Sequence, residues 1–557
     1  MRHARRDAHH GAQVSQPEAL TARISQLDVE ELLAAEAAIH LWNGEMPGQL
    51  LPTHLAVRRT LERSSGSGRE RATLVKTREV LQGLYEAFGE GPGLNPLEPI
   101  DLEPEHSESG SAAFALQSLA ELVEGGPTLG ECVVYVMEKF WTSDQLLVKH
   151  LGFTSEDACR FAWWMVHRGT PAVSGFRKEM AQMRWYGRHP HKYAGRVLLP
   201  PAVFLEMIVD AITLSKDKLD RLPLIGLNPA VPFFLATDLN ALAEPFPSIS
   251  RWTFLKRRDG GVQLLDTHIL DRELPSAIHW GLAERLDSRE LGYYGSTIGK
   301  SFERVVAGRI KRSWPEVMVH NDVRSNPRSP EIDLVMVLPS GGRFFVQCKA
   351  RPLSPAGRWG TYLGFYRDVE STILHAAEQA HACEEGLDSA NIFGNLIVLE
   401  AYFPAIPLQC TMKGTIGKAL QGLTRPLIIN VFDFNYLLDK IPSSELVDYL
   451  DWRSERLRLQ TTLPTDEFDM LRAFLIRDQA RWEVGERKQV RVSIIGSDVG
   501  YQKQCLAEAD RLLNFDPYED LMIDPPPSYV KKFLRRGASS ADALIPSLSE
   551  PGSEAPD

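Results

Sequence analysis

The spacing of apolar and polar positions divides the chain into two textures. Over 20–42 apolar residues recur at helical intervals, as in Ile24, Leu27, Leu32 and Leu33, and the same period returns over 133–140 and 155–167. Most of the chain up to Leu214 predicts helix, punctuated by Pro200 and Pro201, with no repeat period that would mark a solenoid. After about Ile225 shorter apolar runs take over. Residues 252–255 and 262–265 flank Arg258-Asp259-Gly260-Gly261 and predict a hairpin, with a helix next over 276–289. From about 295 to 440 short strands alternate with helices; beyond that, 466–482 predicts helix, 490–495 strand and 502–513 helix.

Turn-forming and acidic clusters at 64–68 and 91–110 read as linkers. The resulting partition is a flexible lead over 1–20, a mainly helical region over 21–225, and a hairpin-and-helix connector over 226–294. An α/β domain over 295–440 comes next, then an α/β extension over 441–536 and a disordered tail rich in Ser, Pro, Ala and acid over 537–557.

Within the α/β domain, 317–320, 332–338 and 343–349 predict three strands, joined by the turn cluster 326–330 and by Pro339-Ser340-Gly341-Gly342. Alternation sets Gln347 and Lys349 on one face of the third strand and Cys348 on the other. Antiparallel pairing brings Asp333, at the start of the second strand, back beside Lys349. A symmetric four-residue loop would set Asp333 opposite Cys348, whereas a bulge or a three-residue loop, which Gly341 and Gly342 permit, brings it onto the Lys349 face. A carboxylate and an ammonium among Val, Leu, Met and Phe are costly to bury unless paired or metal-bound.

Those residue types suit phosphodiester hydrolysis. Asp333 can ligate Mg²⁺ or Mn²⁺, and Gln347 can offer its side-chain oxygen and Cys348 its backbone carbonyl to the same hard ion. Lys349 can hold or deprotonate the attacking water and offset developing charge.

Glu331-Ile332-Asp333, a hairpin, then Val346-Gln347-Cys348-Lys349-Ala350 resembles the PD-(D/E)XK nuclease superfamily, and within it the Mrr-like branch, where Gln replaces the acid. Gly299-Lys300-Ser301-Phe302-Glu303 is similar to that family's first-helix motif Gly-x-x-Phe-Glu. The resemblance covers about 295–435. It implies a restriction-endonuclease-like core, a mixed central sheet flanked by helices, behind a large mainly helical N-terminal region. It further implies Glu303 as an outer or water-mediated metal ligand, a helix over 367–385, and core strands over 394–400 and 427–432. The activity implied is Mg²⁺-dependent cleavage of DNA, in restriction or anti-phage defence. The alternative is an inactive nuclease fold that binds nucleic acid or a protein partner. Ile332 stands where the family motif has Pro, and Gln347 removes one negative charge from the site.

Charge sharpens this picture. The formal net charge of -11 argues against a protein that merely coats nucleic acid. Between Gly299 and Gly360, however, eleven basic residues face five acidic ones, as a nucleic-acid groove on an acidic protein would require. The glycine-rich segment 351–367 offers Arg351, Arg358, Trp359 and Tyr362 for stacking on bases or gripping phosphates, or equally for packing the loop onto the domain. His375 and Gln379 share a helix face, which reads first as a surface pair and, as the alternative, as a face turned toward the site.

Other signals point away from chemistry. Gly295-Ser296-Thr297-Ile298-Gly299-Lys300-Ser301 is one residue short of a phosphate-binding loop, and no buried strand precedes it. His3, His9 and His10, and the pair His189 and His191, read as surface histidines. The six cysteines are scattered without Cys-x-x-Cys spacing, which excludes a zinc ribbon or disulfide scaffold and suits a reducing, cytoplasmic setting. The basic N-terminus lacks the apolar core of a signal peptide, and the most apolar run, 395–408, is broken by Glu400, Pro404 and Pro407. Homo-oligomerisation is left open.

Overall fold

The computed structural model describes residues 16–42, 60, 70–72, 76–77, 79–81, 84, 128–167, 208–238, 253–265, 270, 274–324, 330–354, 362–386, 391–400, 413–459, 467–477 and 498–515. Outside them lie both expected linkers, the N-terminal histidines, His189 and His191, Cys410, the expected strand 490–495, the tail 537–557, and Arg358 and Trp359.

The molecule is mixed α/β with two mixed sheets and many helices. Helices α1 (Gln16–Gln26) and α2 (Val29–Trp42) open the chain, in place of one continuous helix. The break at Asp28 has a local cause: its carboxylate accepts from the Glu30 and Glu31 N–H groups at 3.0 and 3.2 Å, which starts α2 afresh. Helix α3 (Leu129–Phe140) begins at a reciprocal capping box between Thr128 and Glu131. Strands β1 (Thr213–Leu214), β2 (Ala236–Thr237), β3 (Phe254–Lys256) and β4 (Val262–Leu264) form a small sheet in the order β1-β4-β3-β2, with β3 and β4 as the predicted hairpin.

The helix expected over 276–289 is two helices, α4 (Leu274–Ala283) and α5 (Ser288–Ser313). Asp287 caps α5 in a second capping box with Glu290, so a new helix starts where continuous periodicity suggested only an end. The segment 295–301, with its resemblance to a phosphate loop, lies inside α5 and is helical throughout.

The larger sheet carries β5 (Met318–Arg324), β6 (Glu331–Val337), β7 (Arg343–Lys349), β8 (Ile392–Leu399) and β9 (Pro426–Asn430), in that order. The first three form an antiparallel meander, and β7, β8 and β9 run parallel. A parallel neighbour needs a crossover. For β7 to β8 it is a helical stretch over 362–386, whose last part is α6 (His375–Gly386). Asn430 ends β9 and at once caps α7 (Val431–Lys440), its Oδ1 accepting from the Phe432 and Asp433 N–H groups at 3.0 and 2.9 Å.

Both faces of this sheet are covered. Phe344, Val346 and Cys348 of β7, with Leu334 and Met336 of β6, pack against Phe302, Val306 and Ile310 of α5 and against Phe434 and Leu437 of α7. On the other face Val335 and Phe345 meet Cys383, while Ile397, Leu399 and Ile428 meet Ile373, Ala376 and Ala380. Two further helices, α8 (Glu467–Leu475) and α9 (Val499–Leu513), add Leu471, Phe474, Tyr501 and Cys505 to the first of these cores. The five described cysteines are buried, and none of them is in a disulfide. No helix among the described residues is long and apolar enough to cross a membrane.

Candidate active site at the parting of two strands

The turn between β6 and β7 decides which residues meet. Leu338 N–H donates to the Gly342 carbonyl and Gly341 N–H to the Leu338 carbonyl, both at 2.9 Å, leaving a three-residue loop, Pro339-Ser340-Gly341. Gly341 sits at φ +85°, a left-handed position that a side chain would strain, and a Cβ on Gly342 would lie 2.2 Å from the Phe393 ring. The three-residue loop fixes the pairs Val337 with Arg343 through Leu334 with Val346. Asp333 and Gln347 lie one step beyond the last of these pairs.

The ladder stops at that point. The next N–H, that of Cys348, donates not to a backbone carbonyl but to Asp333 Oδ2 at 2.7 Å. A side-chain carboxylate has taken the place of a strand partner, and β6 and β7 part around it. Gln347, almost fully buried, gives its amide to the Glu331 carbonyl at 3.3 Å, and its Oε1 is buried without a hydrogen-bond partner among the described residues. An acceptor in that condition costs roughly 1–3 kcal/mol unless something fills its lone pairs.

Lys349 Nζ donates to Gln379 Oε1 of α6 at 2.6 Å. Gln379, half-buried, thus faces the site, whereas His375 of the same pair is exposed, its imidazole 3.8 Å from Glu378. Burial pushes the Asp333 carboxyl above its usual range, opposed by the Cys348 N–H and by the charges of Lys349 and Lys300. Burial also pulls the Lys349 ammonium below its usual range, opposed by the charges of Asp333 and Glu303. Each shift makes the neutral form easier to reach.

Glu303 enters from α5, on the opposite face of the sheet. Its Oε2 accepts from Lys300 Nζ at 2.9 Å; burial raises its pKa, Lys300 lowers it and the negative charge of Asp333 raises it. Lys300 also binds Asp322 and, at 3.2 Å, Glu331 Oε1, while Arg324 holds Glu331 Oε2 at 2.6 Å. Hydrogen bonding from Arg324 is the main reason the Glu331 carboxyl is held down at about 2. Sequence reasoning missed Asp322 as a site residue, and met Lys300 within the first-helix motif and the basic count without giving it a role. The three-residue spacing from Lys300 to Glu303 on a helix was the available signal.

Several of the basic residues counted near the site are thus already neutralised. Lys300 and Arg324 serve the acids of this corner, and Arg309 and Arg312 both bind Glu138, at 2.8 and 2.7 Å. Arg351 lies over the Trp280 ring at 5.9 Å, while Trp280 Nε1 donates to the Leu353 carbonyl at 2.7 Å. The segment after Arg351 is not loop throughout: helix begins at Tyr362, and Phe365 is buried in the core on that face.

No group of three or more His, Cys, Asp and Glu side chains among the described residues is arranged to hold a metal ion. The oxygens gathered here are of another kind: one carboxylate, the unpartnered Gln347 Oε1, and the Cys348 carbonyl, which strand alternation turns toward β6 with its N–H. They fit a hard divalent ion better than a soft one. Among known proteins, no family model, no curated protein and no solved structure matches this chain.

Proposed function

We propose that the chain is a metal-dependent nuclease that hydrolyses phosphodiester bonds of DNA, built on a restriction-endonuclease-like core with its site at Asp333, Gln347 and Lys349. The observation that carries the reading is the parting of β6 and β7 around Asp333, whose carboxylate takes the Cys348 N–H between a buried unpartnered amide oxygen at Gln347 and the lysine at 349. The mixed sheet supports it too: an antiparallel meander joined to parallel strands and covered by helices on both faces.

In this reading Asp333, Gln347 Oε1 and the Cys348 carbonyl hold Mg²⁺ or Mn²⁺, with Glu303 behind them. The bound ion supplies Lewis acidity, lowering the pKa of water and offsetting charge on the scissile phosphate. Lys349 takes the proton of the attacking water on its neutral amine, and burial brings that amine within reach at lower pH than a free lysine. Gln379 aims the amine from α6. As an ammonium, Lys349 then faces the negative charge that develops on the phosphate oxygens.

A second reading has its own observation. Gln347 is neutral and Glu303 is engaged by Lys300, so an inactive nuclease fold that binds nucleic acid or a protein partner would show the same contacts. The deciding measurement is Mg²⁺-dependent degradation of DNA by the purified chain, beside Asp333→Ala and Lys349→Ala. We expect both variants to lose at least 100-fold in rate, about the low end for a positioned proton-transfer group. Equal activity in all three would remove the site; DNA binding without cleavage in all three would favour the second reading.

A further inference from the structure

The segment that leaves the candidate site has no regular secondary structure over 350–354, yet three elements pin it. The Lys349 carbonyl accepts from the Glu400 N–H at 2.9 Å, and the Leu353 carbonyl from Trp280 Nε1 of α4 at 2.7 Å. Buried Asp368, on the helical stretch over 362–386, accepts at its Oδ2 from both the N–H and the hydroxyl of Ser354, each at 2.8 Å.

Arg351 stands within this strap, exposed, two residues beyond Lys349. Its guanidinium lies over the Trp280 ring at 5.9 Å and makes no hydrogen bond or ion pair among the described residues. Lys300, Arg309, Arg312 and Arg324 differ from it, each being bound to a carboxylate. Asp368 feels the charge of Arg351, but its carboxylate is occupied by Ser354.

The ring beneath the guanidinium is itself fixed. His279 meets Trp280 edge-on at 5.1 Å, and the Tyr294 hydroxyl of α5 shares a hydrogen bond with His279 Nδ1 at 3.1 Å. Burial holds His279 well below the usual histidine range, so it sets no second charge beside Arg351. An arginine stacked through its planar face keeps its edge N–H groups free, and that edge forks onto two oxygens of one phosphate. A base would find less to hold here, because the indole N–H is engaged by Leu353 and the ring is covered by Arg351.

Distance then selects the phosphate. Two residues of chain span at most about 7 Å, and successive phosphates of one strand advance about 3.4 Å along the duplex axis. In the nuclease reading the scissile phosphate belongs to Asp333 and Lys349, which leaves a neighbouring one for Arg351.

We infer that Arg351 is a substrate-binding residue: stacked on Trp280, it grips a phosphate flanking the one that is cleaved, so that α4 helps to hold DNA on the site. The flanking position rests on the nuclease reading; the phosphate contact does not.

The test is the affinity of the full chain for a short fluorescent DNA duplex over a range of salt, with Ca²⁺ as the divalent ion to suppress cleavage. Arg351→Ala should weaken binding about tenfold, the worth of one hydrogen bond to a charged group. It should also flatten the slope of log affinity on log salt by about 0.9, the share of one phosphate contact. Arg351→Lys should keep most of that slope. Trp280→Leu should weaken binding less, and adding Arg351→Ala to it should cost less than Arg351→Ala costs the unaltered chain, since ring and guanidinium act together. Where Trp280→Leu loses the thermal transition of the unaltered chain, the exposed Arg351 variants alone decide. With Mg²⁺, Arg351→Ala should raise KM by a similar factor and spare kcat.

Unchanged affinity and slope in Arg351→Ala, beside cleavage by the unaltered chain, would overturn the inference and leave the nuclease reading standing. A fall in kcat with KM unchanged would overturn it as well, placing Arg351 in the chemical step. Weaker, flatter binding by Arg351→Ala on a chain that never cleaves would keep the phosphate contact and remove the nuclease reading. No binding of DNA by the unaltered chain overturns both.

Discussion

At the scale of single residues, burial sets the charge states and pH becomes the probe. Lys349 is held below and Asp333 above its ordinary pKa, in both cases first by desolvation. A lysine that accepts a proton must first lose its own, so the cleavage rate should rise with pH through the depressed Lys349 range. Lys349→Arg, which keeps the charge but cannot lose it near neutral pH, should abolish that rise; a persisting rise would assign the base elsewhere. Glu36 of α2 gives a second probe, far from this chemistry. It is fully buried, accepts from Thr60 Oγ1 at 2.8 Å, and burial raises its carboxyl to about 8. A folded pKa above the unfolded one means the native state holds the proton more tightly. Its contribution is therefore complete below the unfolded value of 4.5 and is lost as pH rises through about 8. Denaturant titrations should show the unaltered chain losing several kcal/mol relative to Glu36→Gln between pH 5 and pH 8.5, about what a shift of this size is worth. Parallel stability profiles would show that Glu36 is ionised in the fold.

Among elements, short-range pattern made some features legible in the sequence and left others hidden. The strand period gave the meander and put Gln347 and Lys349 on one face, and the turn residues narrowed the loop to two lengths. Choosing between those lengths needed Phe393, which closes on Gly342 from a strand about fifty residues on and leaves no room for a side chain there. The split at Asp287 was missed because capping acts through one carboxylate and leaves the apolar period almost unchanged. Asp322 was missed, and Gln379 was read first as a surface residue, for a different reason: each acquires its role from a partner on another element. The same holds for the ion pair between Lys139 of α3 and Glu400, just beyond β8, both almost fully buried. Glu400 N–H also donates to the Lys349 carbonyl at 2.9 Å, so this pair ties α3 to the strand end that carries the candidate base. Removing one partner of a buried pair leaves a bare charge at about 3–5 kcal/mol, whereas replacing both by apolar groups is often neutral. Lys139→Met should therefore lower the unfolding free energy by about that amount, and Lys139→Met with Glu400→Leu should recover most of it. An equal loss in the double variant would mean the pair acts through packing and not through charge.

For the whole molecule, the question is whether the candidate site belongs to a unit that can stand alone. The apolar contacts argue that it does not. The sheet face under Cys348 is lined not only by α5 and α7 but by Cys132 and Tyr135 of α3 and by Tyr501 and Cys505 of α9, residues far outside the stretch that resembles a nuclease. Tyr135 meets the rings of Phe302 and Phe432 edge-on at 6.2 and 5.4 Å, and the Tyr501 hydroxyl donates to Glu131 Oε1 at 2.9 Å, closing α3 against α9. Helix α3 also lends Val133, Val134, Val136 and Phe140 to the second large core, which draws on residues from Leu20 to Ile298 and on Ala509 and Leu513 of α9. One helix thus serves two cores, buried on nearly every side, with its buried Glu131 and Lys139 paired to Tyr501 and Glu400. A chain beginning at Ser288 would expose Phe302 and Phe432 where Tyr135 now covers them, and each large side chain left uncovered forfeits about 1.5–3 kcal/mol. Against a total stability of about 5–15 kcal/mol for a typical domain, losing the cover of a whole helix is decisive. Such a truncated chain should show no cooperative thermal transition and should bind hydrophobic dyes, while 16–515, which keeps both cores, should retain a sharp one. A sharp transition for the chain from Ser288 onward would mean that α3 is an accessory to the sheet and not part of its core.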